Sequence, residues 1–226
     1  MVILDNGIME LGSTVDEGVL LDVTRVIRPM LLTPPEVLGD GRETIALTRD
    51  FIARMPEIRL PKETGLLGVV HGRTWGEWIE NYRVFHNELD AIVRIGIPYD
   101  MTFEVPGVDE SACATEWVRM LENRVRAVEL LDEAGLNKKP AHLLGTVDAI
   151  EFLRQQRFTW VASNDSSTAY VSAQRGVRYD PTVGIHAFKH KIDMMSALVP
   201  ENIDLFLQNV SAIRNFATRK NFREVR

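Results

Sequence analysis

The chain has 226 residues, 45% of them hydrophobic and 26% charged, an ordinary globular composition with room for one sizeable domain. Its single cysteine, Cys113, excludes an intrachain disulfide and a cysteine-based metal site; no apolar run approaches the ~18 residues of a membrane span; and MVILDNG lacks the basic region and cleavage site of a secretory leader. This fits a reducing cytoplasm, and the net charge of −6 conceals an asymmetry: 15 Lys and Arg against 25 Asp and Glu in residues 1–150, but 11 against 7 in residues 151–226.

Val2–Leu4 is a short β-branched run that ends in the turn signal Asp5-Asn6-Gly7. Residues 13–27 read as a helix capped by Ser13 or Thr14, with Val19, Leu20, Val23, Val26 and Ile27 as its apolar face. Met30–Leu32 is a second strand, closed by Pro34 and Pro35, and a helix near 42–54 follows the loop Gly39-Asp40-Gly41. Leu66–Val70 is a third strand and ends in His71-Gly72-Arg73. Thr74-x-x-Glu77 has the form of a capping box, opening a helix that carries Trp75, Trp78, Ile79, Tyr82 and Phe85 as a core stripe. Ala91–Ile97 is the fourth strand, and a long helix is expected over 110–134, stopped by Gly135. Ala141–Leu144 is the fifth strand, ending at Gly145, with a short helix from about 147. The sixth is Phe158–Ala162, an apolar run that stops abruptly in Ser163-Asn164-Asp165-Ser166-Ser167-Thr168. Ser172–Ile185 reads as a loop, and 186–198 and 201–217 read as helices separated by Pro200. His186 and His190 have metal-ligand spacing, but no Glu follows the first, so a surface helix is the simpler reading.

Six alternations of strand and helix predict βαβ units and a parallel sheet. The expected fold is α/β and TIM-barrel-like, compact or incomplete, with C-terminal helices. Asp5, Glu36, His71, Asp100 and Asp165 all fall at strand C-terminal ends, which converge on one face in such folds. An Asn-Asp-Ser cluster after a strand is also an ordinary helix cap, so Asp165 alone has two readings. Neither GxGxxG nor GxxxxGK[ST] occurs, so no dinucleotide or P-loop site is signalled and no cofactor or metal is expected. Basic residues gather late in the chain: Arg175, Arg178, Lys189, Lys191, Arg214, Arg219, Lys220, Arg223 and Arg226. Such a cluster is either a solvated helix face or an electrostatic footprint for nucleic acid.

With the strand ends in order, the chain resembles the tRNA-guanine transglycosylase superfamily, and within it the DNA-modifying branch of phages and bacterial islands. Leu4-Asp5-Asn6-Gly7 is similar to that family's Asp-Ser-Gly-Gly turn, and Pro35-Glu36-Val37 with Gly39-Asp40-Gly41 to its PDV-x-GDG loop. Val69-Val70-His71-Gly72 resembles Val-Gln-Gly-Gly, Ile95-Gly96-Ile97-Pro98 the Gly-rich base-binding strand end, and His142-Leu143-Leu144-Gly145 the Tyr-Leu-Met-Gly segment. Ser163-Asn164-Asp165-Ser166-Ser167 stands at the position of the nucleophilic aspartate. The chain departs from the family in lacking the zinc-binding cysteines, in having His71 for Gln and Arg73 for the second Gly, and in lacking Pro-Thr-Arg after the nucleophile.

The resemblance covers roughly residues 2–170, taken here as the barrel core of one domain over 1–226, with 171–226 as a basic loop and helices. It implies replacement of guanine in nucleic acid, DNA before tRNA, by a 7-deazaguanine-type base, in the cytoplasm (the host's, for a phage protein). Asp165 is then the nucleophile at C1′ and Asp5 the general acid/base, as two displacements at one carbon require. Glu36 or Asp40, with Gly72 and Gly96, would recognise the base, and Asn6, Gly7, His71, Gly145 and Ser166 complete the implied pocket. Arg175, Arg178, Lys189, Lys191, Arg219, Lys220 and Arg223 would hold phosphates. The partners expected are nucleic acid, the base and, for a barrel short of strands, a second copy in a homodimer, but no membrane. Two other functions stay open: a barrel that binds nucleic acid or base without turnover as a partner subunit, and a barrel enzyme acting on a small metabolite.

Overall fold

The computed structural model describes residues 2–8, 12–146, 148–180 and 199–217. Its sheet is wholly parallel: β1 (Ile3–Leu4), β2 (Leu31–Leu32), β3 (Gly65–Val69), β4 (Ile92–Pro98), β5 (Ala141–Leu144) and β6 (Val161–Asn164), side by side in chain order. The helices are α1 (Glu17–Ile27), α2 (Gly41–Ile58), α3 (Trp75–Asn87), α4 (Glu116–Glu133), α5 (Ala149–Gln155), α6 (Thr168–Gln174) and α7 (Pro200–Ala217). Strand order never reverses, so right-handed crossovers lay the connecting helices on one face. The sheet curls into a half-barrel with its other face concave, an incomplete TIM-barrel-like α/β fold. Among the described residues β1 and β6 are its edges. No helix of the described residues is long and apolar enough to cross a membrane.

Alternation along the strands sorts the residues between the two faces. Leu32, Leu66, Val70, Ile92, Ile95, Ile97, Ala141 and Leu143 pack with Phe51, Trp78, Tyr82, Phe85, Val128 and Leu131 in one core on the helix side. Leu31, Leu67 and Val69 are buried too but stand outside that cluster, on the concave side.

Two register shifts interrupt the alternation. Leu66 pairs with Ile92 while Leu67 pairs with Arg94, leaving Val93 as an extra residue. Ala141 pairs with Val161 while His142 pairs with Ser163, leaving Ala162 extra. Each bulge resets the side-chain parity, so Arg94 and Ser163 face the concave side although simple counting from Ile92 and Val161 would put both on the helix side.

Short polar caps start the helices. Asp16, Asp40, Thr74 and Thr115 accept hydrogen bonds from the backbone N–H of Val19, Glu43, Glu77 and Val118. The Thr74–Glu77 box forms with one change: Glu77 Oε2 accepts from Arg73 N, at 3.0 Å.

Several expectations need correction. The sixth strand is Val161–Asn164, three residues later than Phe158–Ala162, and it is a half-exposed edge. Phe158 and Trp160 sit in the turn before it, in edge-to-face contact, with Trp160 Nε1 bonded to Asp132 at 3.0 Å. Helix α1 is capped by Asp16 and buries Leu20, Leu21 and Thr24, whereas Val19, Val26 and Ile27 are exposed, Val26 to 83%. The stretch 110–134 divides into a 3₁₀ turn at Glu110–Ala112 and α4, because Asp109 and Thr115 each cap their own start. Helix α2 runs on through Pro56 to Ile58, and α6 occupies the beginning of the expected 172–185 loop. The expected helix at 186–198, with His186 and His190, lies outside the described residues.

Two glycines give contrasting tests of the packing. A Cβ on Gly41 would lie 2.3 Å from the His71 carbonyl oxygen and 2.6 Å from Asn81 Cγ, whereas on exposed Gly76 it would meet only Thr74 Oγ1, at 3.9 Å. Gly41→Ala is expected to destabilise the protein by about 2 kcal/mol or more through overpacking. Gly76→Ala is expected to stabilise it by roughly 0.5 kcal/mol through helix propensity and unfolded-chain entropy. Urea unfolding of both variants checks the pair.

Candidate functional site

The site is the mouth at the C-terminal ends of the strands, where two clusters form. The first lies after β5 and β6. Asp165 continues the ladder beyond β6: its N–H donates to Leu143 O at 3.1 Å, and Thr146 N donates to its carbonyl at 2.8 Å. Its side chain is 56% exposed, and Oδ1 accepts a hydrogen bond from Gly145 N–H. Gly145 makes that turn with φ 64°, and a Cβ there would stand 2.5 Å from Tyr99 Cδ1, so both its backbone angle and its space demand glycine.

His142, 1% exposed, stands behind Asp165 with Nε2 at 3.6 Å from Oδ2. Its Nδ1 lies 2.9 Å from Ser163 Oγ, which also accepts from Arg94 Nη1 at 2.8 Å. An arginine can only donate, so the Ser163 proton is left for His142 Nδ1; we assign the imidazole proton to Nε2, facing Asp165. Arg94, Ser163, His142 and Asp165 thus form a chain across β4, β5 and β6. Burial pushes the Asp165 carboxyl up, but the His142 imidazole beside it, the hydrogen bond from Gly145 N–H and the charge of Arg124 outweigh it and hold the group below the usual carboxylate value.

The second cluster lies after β2 and β3. Glu36 Oε2 and His71 Nε2 are 2.9 Å apart, and both side chains are buried. The His71 carbonyl accepts from Asn81 Nδ2 at 2.9 Å. A Cβ on Gly72 would come within 2.7 Å of Trp78 N, so the strand end is seated directly on the start of α3.

The other expected residues are placed as follows. Asp5 is exposed after β1 and accepts from Asn6 N at 2.9 Å. Asn6 is fully buried, donating to Pro34 O at 2.8 Å and accepting from Ile8 N at 3.1 Å, and Gly7 follows with φ 73°. Asp40 caps α2. Gly96 faces Val69 and Leu144 so closely that a Cβ would meet Leu144 Cδ1 at 2.9 Å. Ser166 Oγ donates to Thr146 O at 2.8 Å. The structure therefore brings Asp165 together with Gly145, and Glu36 with His71. It sets Asp5 and Asp165 on the two opposite edges of the sheet.

Arg175 follows α6, and Arg178 lines a surface groove of about 470 Å³ with Asp204, Leu207 and Ser211 of α7, apart from the strand ends. Lys189, Lys191, Arg219, Lys220 and Arg223 lie outside the described residues.

Sequence reasoning missed Arg94 and Arg124, and it named Ser163 and His142 only as members of their motifs, with no role of their own. One signal was available: His142 and Leu144 alternate with Ser163 and Asp165 on neighbouring strands, which puts a histidine and a carboxylate on one face. Thr33 Oγ1, His142 Nε2 and Thr146 Oγ1, in or just after β2 and β5, are among the buried polar atoms of the described residues that have no hydrogen-bond partner. Among the described residues no group of His, Cys, Asp and Glu could hold a metal ion. No protein-family model matches the chain, and no curated protein matches it.

Asp165 makes the site sensitive to acid. Its folded pKa lies below the unfolded value of about 3.9, so its ionisation favours the folded state above that pH and ceases to do so as pH falls through the folded midpoint. Wild type should exceed Asp165→Asn in stability near neutrality by no more than about 1 kcal/mol, given solvent screening. That difference should close below about pH 4, as read by urea unfolding across a pH series.

Proposed function

We propose that this protein exchanges a base at a glycosidic carbon of nucleic acid, guanine leaving and a 7-deazaguanine-type base entering, with DNA the preferred polymer. The observation that carries the reading is Asp165: a half-exposed carboxylate at the mouth of a barrel-like sheet, held ionised by Gly145 N–H and His142. The order of six strand-end motifs supports it, as does the glycine at each close approach, Gly72, Gly96 and Gly145.

In the first displacement an Asp165 oxygen bonds to C1′ while the bond from C1′ to guanine N9 breaks. The electron pair leaves with guanine, which takes a proton from the general acid. In the second, the incoming base gives up its ring proton, bonds to C1′ and releases the carboxylate. Two inversions retain the sugar configuration, and no electrons are gained or lost, so no redox cofactor enters. Asp5 is the proposed acid and base. Glu36, held by His71, is the proposed acceptor for the amide and amine edge of the base.

One observation favours a second reading, a barrel that binds base or nucleic acid without turnover. Retaining enzymes of the glycosidase type hold their two carboxylates roughly 5–5.5 Å apart, whereas Asp5 and Asp165 follow the two edge strands with the rest of the sheet between them.

Incubation with duplex DNA and, separately, tRNA in the presence of labelled guanine separates the readings. The expected result is label retained in DNA, with denaturant-resistant capture of the polymer that Asp165→Asn abolishes. Exchange that persists in Asp165→Asn would overturn the nucleophile assignment. Salt-sensitive DNA binding without incorporation would support the binding barrel, and no binding at all an enzyme of small metabolites.

A further inference from the structure

The Leu144–Gly145 peptide has a partner at each end. Its N–H donates to Asp165 Oδ1, and its carbonyl, Leu144 O, accepts from Arg124 Nη1 at 2.6 Å. Arg124 lies on α4, is 0% exposed, and reaches the strand ends from the helix side of the sheet. Its Nε and Nη2 each bond a Glu151 oxygen at 2.6 Å, and Nη1 reaches Ile97 O at 3.3 Å as well. Glu151, also 0% exposed, occupies one side of the guanidinium fork, so the remaining nitrogen can meet only the two strand-end carbonyls.

We propose that Arg124 is a positioning residue for Asp165, acting through the Leu144–Gly145 peptide. A cation hydrogen-bonded to a carbonyl polarises the whole amide, and the N–H at its far end becomes a stronger donor. The same bond fixes the plane of a peptide that glycine alone would leave free to rotate. Glu151 keeps the fork oriented, since an unpaired guanidinium at that depth would be costly. The other charged or titratable groups facing Asp165 are His142 from β5 and, through Ser163, Arg94 from β4.

This role rests on the reading of Asp165 as the reacting carboxylate, but its test needs no reaction. Carbon-detected NMR follows the Asp165 carboxyl through its titration, assigned by its loss in Asp165→Asn, and the Gly145 amide is followed in the same samples. In wild type the Gly145 amide proton should shift with the Asp165 midpoint; a Gly145 amide that does not respond would overturn the proposal without any variant having to fold. Arg124→Met combined with Glu151→Leu removes the ion pair without orphaning either charge. In that variant, folded by near-ultraviolet circular dichroism, the Asp165 midpoint should rise by about half a pH unit or more. An unchanged midpoint would leave Arg124 merely structural. Arg124→Lys, which can still donate to Leu144 O, should keep the midpoint nearer to wild type than the double variant does. Should base exchange be absent while these shifts appear, the functional reading fails and the positioning role stands.

Discussion

A parallel sheet with all its helices on one side must decide, residue by residue, what faces the helices and what faces the concavity. In this protein that parity is the constraint on which the site depends. An uninterrupted alternation through β4 would turn Arg94 into the apolar core against α3 and α4, where a guanidinium would lack partners. The bulge at Val93 prevents this, and the one at Ala162 does the corresponding work on β6. Both cost a rung of ladder hydrogen bonding. Both bring a polar side chain to the same inner surface, where Arg94 and Ser163 meet at 2.8 Å. The alignment of His142 with Asp165 follows from Ser163 being there to hold the imidazole.

Buried charge is placed with the same economy. The Arg124–Glu151 ion pair and the Glu36–His71 hydrogen bond sit at strand ends, away from the middle of the core. Buried ion pairs seldom add net stability over well-packed apolar residues, because desolvation offsets most of the attraction. Their value here is geometric. Arg124 holds the carbonyl ends of two adjacent strands, Ile97 and Leu144, and α5 through Glu151. The clamp ties together the C-terminal ends of β4 and β5, which pair over four positions from Ile95–Ala141 to Pro98–Leu144.

Much of the fold was legible because the strand ends are chemically abrupt. Proline, glycine or a polar residue follows each apolar run within a residue or two, so even two-residue strands could be located from Asp5 and Pro34. The sixth strand was placed three residues early because Phe158 and Trp160 have strand-forming side chains. Their contacts are lateral, however, with Arg157 over the Phe158 ring and Trp160 bonded to Asp132, and these hold a turn. The α1 face was misjudged for a related reason. Val19, Val26 and Ile27 are apolar at helical spacing, but the helix turns Leu20, Leu21 and Thr24 inward instead and leaves those three exposed. Within the site, Asp165 and Gly145 could be read from their place at strand ends. Arg124 could not, since a mid-helix arginine among Glu122, Glu129 and Glu133 looks like any surface residue, and only the tertiary fold takes it inside.

The division of labour between the two proposed catalytic carboxylates follows from what surrounds Asp165. A carboxyl held below its ordinary value by a backbone N–H, a histidine and a buried arginine is a poor proton donor at neutral pH and is permanently available as an anion. That suits attack on an electron-poor sugar carbon, or stabilisation of the positive charge developing there. Proton transfer to the departing base must come from a group in a different environment, and a general acid works best when its pKa lies near the working pH. Asp5 follows the opposite edge strand, with β2 to β5 between it and Asp165, so the like-charge repulsion that a close carboxylate pair uses to prepare its acid is not built into this mouth.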